Sequence, residues 1–153
     1  ILETPAAALG ARDIARESDF IAVALDALIQ HLLAADRDNH ELAGSFLTLH
    51  PMVLRVLRDV AEACREVDRP LLVFGVTAAR RAVLPFLIGA GVRSFAIPPS
   101  GLRAFLEELG RIDAKSARRA LASAAALTWT LSTYDPANCP AGVPSQMVLK
   151  LRR

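Results

Sequence analysis

The stretch from His50 to Gly75 reads HPMVLRVLRDVAEACREVDRPLLVFG, and it carries the decisive pattern of the chain. Val53, Leu54, Val56, Leu57, Val60, Ala61, Cys64 and Val67 recur at helical spacing and form one apolar face. Arg55, Arg58, Asp59, Glu62 and Arg65 take the other face. Pro51 suits a first helical position, and Arg69-Pro70 ends the helix. Leu71-Leu72-Val73-Phe74 then runs on without a polar residue, as expected of a strand covered on both faces. A long amphipathic helix feeding a fully apolar strand is the repeating unit of a parallel α/β protein.

The same unit repeats on either side. Ile1-Leu2-Glu3 reads as a strand end, and Thr4-Pro5 as the capped start of a helix running from Ala6 to Glu17. Asp19 to Val23 reads as a buried strand, and Ala27 to Ala35 as a helix. Asp36 to Ser45 is polar and reads as a loop. Beyond Gly75, a helix is predicted over Ala78 to Gly89 and a strand over Arg93 to Ile97, stopped by Pro98-Pro99. Helices follow over Leu102 to Leu109 and Lys115 to Leu127. Four parallel strands with helical crossovers make half of an eightfold (βα)₈ barrel, whose full size is roughly 250 residues. They fit an open sheet equally well. The tail 128–153 breaks the pattern. Residues 1–127 therefore read as one α/β unit, followed by a divergent tail.

The 153 residues suffice for one domain with a real core. A hydrophobic fraction of 53% against 22% charged residues describes a globular chain rather than a disordered one. The net charge is +2, and the basic pairs Arg80-Arg81 and Arg118-Arg119 read as solvated helix faces. No clustered phosphate-facing patch forms, so nucleic-acid binding is not expected. The apolar stretches are broken by charge before they reach membrane length, so no membrane span is expected either. Two cysteines, Cys64 and Cys139, give no disulfide framework, and a reducing cytoplasmic setting is expected. Cys64 falls on the apolar face of its helix and reads as core packing. His31, His40 and His50 are not spaced as a metal motif; His50 reads as a helix cap, and His40 follows Arg37 in a loop. The start at Ile1 rather than Met reads as a piece of a longer protein.

Several segments, in order, resemble the phosphoenolpyruvate-utilising enzymes, and most of all Enzyme I of the sugar phosphotransferase system. Glu3-Thr4-Pro5-Ala6-Ala7 matches an E-T-P-A-A block. Asp19-Phe20-Ile21, continuing to Leu28 and Gln30, resembles D-F-F-S-I-G-T-N-D-L-T-Q. Asp36-Arg37-Asp38-Asn39 matches D-R-x-N, and His50 to Leu54 resembles an x-P-x-V-L helix start. Phe74-Gly75-Val76 stands where the family carries C-G-E, and Leu87 to Pro98 resembles its last barrel strand. The resemblance covers residues 1–112, and more loosely extends to 127.

It implies a barrel that binds phosphoenolpyruvate with Mg²⁺ at the carboxyl ends of its strands. Two carboxylates would hold the metal, basic residues the phosphate, and a cysteine would protonate the enolate carbon; the phosphoryl group would pass to a histidine on a separate domain. Glu3 matches the first metal carboxylate, and Arg37 a phosphate-binding arginine. Ala27 stands at the second metal position, where alanine cannot ligate. Asp26 is one residue away, but neighbouring side chains point in different directions; with Arg37 it is a candidate substrate-binding residue. Phe74 stands at the cysteine position and has no proton to give, and Val76 replaces another carboxylate. The resemblance therefore implies a segment that binds phosphoenolpyruvate, or a similar small anion, with its catalysis impaired. Two alternatives stand beside it. One is part of an active phosphoenolpyruvate-protein phosphotransferase. The other is a structural half-barrel completed by a missing N-terminal half or by a second copy.

Overall fold

The computed structural model describes residues 1–36 and 50–126. Helices α1 (Pro5–Leu9) and α2 (Ala11–Arg16) lead into strand β1 (Ile21–Ala24) and helix α3 (Leu25–Leu33). Helix α4 (Pro51–Glu66) precedes strand β2 (Leu71–Phe74) and a 3₁₀ turn at Thr77–Ala79. Helix α5 (Leu84–Ala90), strand β3 (Ser94–Ala96), a second 3₁₀ turn at Pro99–Gly101, and helices α6 (Leu102–Leu109) and α7 (Ala114–Ala126) complete the described chain. The fold is α/β.

The sheet has the order β1-β2-β3, and both pairings are parallel. Val23 lies opposite Val73, and Val73 opposite Phe95. On the far side of β1, Leu2 forms a single parallel bridge to Val23. Its N–H donates to the Ala22 carbonyl at 2.7 Å, and its carbonyl accepts from Ala24 N–H at 3.1 Å. The expected first strand is thus one bridged residue among those described. All four residues of β1 are buried, which explains their uniform apolarity. β3 is an edge strand with Ser94 and Ala96 exposed.

The main core joins Leu2, Ile21, Val23, Leu28, Val53, Leu57, Val60 and Val73. Helix α4 takes the predicted face inward, Cys64 included. Several boundaries differ from expectation. The helix expected from Ala6 to Glu17 divides at Gly10, a weak helix former. β1 starts at Ile21 and leaves Phe20 exposed. The helix expected over Ala78 to Gly89 becomes a 3₁₀ turn and the shorter α5, because Pro85 fits only a first helical turn. At its end Gly91, with φ +101°, turns the chain, and Val92 N–H returns to the Leu87 carbonyl. The loop expected at 37–45 and the tail 128–153 lie outside the described residues.

Candidate functional site

Parallel strands deliver their carboxyl ends to one edge of the sheet, and chemistry in such folds gathers at that edge. Here it carries Glu3 after the Leu2 bridge, Asp26 after β1, and Phe74 to Thr77 at the end of β2. Asp26 stands in the first turn of α3, where the helix dipole favours its negative charge.

Asp26 and Thr77 meet across 51 residues of chain. The Thr77 N–H donates to Asp26 Oδ1 at 3.2 Å and lies 3.4 Å from Oδ2. The Thr77 hydroxyl also donates to Oδ1. Thr77 is only 4% exposed, and among the described residues it is the buried polar one. Gly75 completes the group. Its φ of +120° is one that side chains resist, and a Cβ there would stand 2.2 Å from Asp26 Oδ2. The glycine therefore leaves room for the carboxylate.

Glu3 occupies the same edge with its side chain exposed. Its carbonyl accepts from His31 Nδ1 at 2.9 Å, which puts the proton of that imidazole on Nδ1. Thr4 caps α1 by accepting from Ala7 N–H at 3.2 Å. Ala27 is half-buried on α3 and presents only a methyl group. Phe74 is half-buried at the end of β2, and Val76 is 64% exposed. Arg37 and His40 lie outside the described residues. The structure thus brings Asp26 to Thr77 and Gly75, with Glu3, Phe74 and Val76 along the same edge.

Some residues sit elsewhere. Cys64 is a buried free thiol, and burial pushes its pKa up, as packing rather than chemistry requires. His50 caps α4, with Nδ1 accepting from Met52 N–H at 3.1 Å. Arg81 is exposed and pairs with Glu108 at 3.0 Å. Arg80 departs from the solvated helix face expected of it. It follows the 3₁₀ turn half-buried, and its Nη1 is enclosed with no hydrogen-bond partner among the described residues. The Thr77 partnership was missed in the sequence; the only local signal for it was a glycine directly after an apolar strand.

Among the described residues, no three His, Cys, Asp or Glu side chains converge as a cation site would need. No described helix is long and apolar enough to cross a membrane.

Comparison with known proteins gives one consistent result. The family model described as PEP-utilising enzyme, PEP-binding domain matches residues 1–113. A multiphosphoryl transfer protein of Xanthomonas campestris pv. campestris is 38% identical over 125 residues, covering 82% of this chain and 15% of the relative. A phosphoenolpyruvate-protein phosphotransferase of Lactococcus lactis subsp. lactis is 29% identical over 115 residues, covering 75% of this chain and 20% of the relative. Multiphosphoryl transfer protein 2 of Escherichia coli K12 is 28% identical over 131 residues, covering 86% and 16%. The match thus takes in most of this chain but no more than a fifth of these relatives.

Proposed function

The chain belongs to the PEP-utilising enzyme, PEP-binding domain family, and from that premise we propose that it is a phosphoenolpyruvate-binding segment of the Enzyme I type whose own catalysis is impaired. The observation that carries this reading is the end of β2. Phe74 stands half-buried at the strand terminus, followed by Gly75 and the exposed Val76. None of the three can donate a proton or bind a cation. Arg37, by its place in the D-R-x-N block, supplies the phosphate contact. Asp26 bears on the substrate only through the loop it holds, since its charge would repel an anion.

Mg²⁺ does not fit the described donor set. Ala27 offers no oxygen, and Asp26 already receives two donors from Thr77. The buried free thiol of Cys64 accords with a cytoplasmic setting, which is part of this reading. The test is pyruvate release from phosphoenolpyruvate by the full chain, supplied with a histidine-bearing acceptor domain. No release above the uncatalysed background is expected, and turnover would return the chain to the active phosphotransferases.

A specific observation also favours the half-barrel reading. The strands follow one another across the sheet in chain order, and β3 leaves its outer edge exposed. Leu102 and Leu106 of α6 are exposed as well. Among the described residues that edge is unpaired, and an unpaired parallel edge together with exposed apolar side chains favours more sheet, supplied by an N-terminal half-barrel or by a second copy. Sedimentation of the chain across concentrations tests the second copy, and a monomer throughout would leave the N-terminal half as the partner.

A further inference from the structure

We propose that Asp26, Thr77 and Gly75 form a latch that ties the first turn of α3 to the turn after β2 by hydrogen bonds, in place of the metal ion that the family implies. A Mg²⁺ ion needs carboxylate lone pairs directed at it from about 2.0–2.1 Å. Here Asp26 Oδ1 faces the Thr77 N–H and the Thr77 hydroxyl, both with their hydrogens toward the oxygen. A cation at that oxygen would meet those two positive ends. Oδ2 lies 3.4 Å from the Thr77 nitrogen and 2.2 Å from the point a Gly75 Cβ would occupy. Both carboxylate oxygens are thus engaged by protein.

The three residues depend on one another. Without the carboxylate, the buried Thr77 hydroxyl and N–H lose the acceptor that Asp26 provides. Without the glycine, the carboxylate loses its space. The ordering that a metal would give to these two strand ends comes instead from side chains already in the chain. The latch is independent of whether this edge binds phosphoenolpyruvate.

The test is a double-mutant cycle on the full chain, read by urea unfolding, with Asp26→Ala, Thr77→Val and both together. Coupling on the order of tenfold in the unfolding equilibrium is expected, as for residues in direct contact. Additive effects would overturn the latch. Should Thr77→Val not fold, Gly75→Ala is compared in the Asp26 and Asp26→Ala backgrounds. The loss of stability should be smaller in the second, because the colliding oxygen is gone; equal losses would overturn the latch. Melting with and without millimolar MgCl₂ gives a further readout. The wild type and Asp26→Ala should respond alike. A rise of several degrees in the wild type alone would make Asp26 a metal ligand instead.

Discussion

A Cβ built on Gly89 would lie 2.4 Å from the carbonyl oxygen of Ala117, so α5 and α7 meet at backbone distance. Leu121 also lies close to this point, and Ala117 and Leu121 are both buried. The glycine lets the last described helix sit against the layer made by α4 and α5. Gly89→Ala should cost a net of up to about 2 kcal/mol, since overpacking against a backbone carbonyl costs about 1–3 kcal/mol and better helix propensity returns about 1 kcal/mol. The urea midpoint measures this. Gly101→Ala, where nothing lies within 4 Å of the added Cβ, should change stability far less.

His50 gives α4 a cap that depends on pH. Its Nδ1 accepts from Met52 N–H only when it carries no proton. Burial, and then the charge of Arg55, hold its pKa below the usual 6.5. The neutral form is favoured in the folded chain, so the contribution is fully present above pH 6.5 and is lost as pH falls through the lower folded value. His50→Ala should cost about 1 kcal/mol at neutral pH and flatten this part of the stability profile. His50→Asn should keep a cap and lose the dependence.

Cys64 should resist thiol reagents in the folded chain, because it is buried and burial raises its pKa. In a Cys139→Ser background, which leaves Cys64 as the sole thiol, labelling should appear only as the chain unfolds in urea. Rapid labelling in buffer would contradict the packing described for α4.

Phe74→Cys alone should not restore turnover. It returns an acid to the end of β2 but leaves Ala27 without an oxygen and Asp26 bound to Thr77. A pyruvate-release assay on this variant should stay at background.

The legible parts of the fold were those with unbroken patterns. Helix α4 and strand β2 were plain because an apolar stripe and an apolar run each decide one element. α5 was misjudged because apolar spacing continued through Pro85, and the ring, not the spacing, sets where that helix starts. The helix after Thr4 was read as one because Gly10 weakens a helix without removing a hydrogen bond. The strand-end position of Asp26 was legible from its place after an apolar run. Its partner was not, because Thr77 is 51 residues away and no local pattern links them. A glycine after an apolar run marks a turn, but the role of Gly75 as space for a carboxylate exists only in three dimensions.

The strand-end edge is proposed to bind phosphoenolpyruvate although Phe74, Val76 and Ala27 stand at the positions of the family's chemistry. Calorimetric titration of phosphoenolpyruvate into the full chain, with and without Mg²⁺, tests it most directly. Saturable binding of similar strength is expected in both conditions, abolished by Arg37→Ala. Absence of heat at millimolar ligand, or binding that requires Mg²⁺, would contradict it.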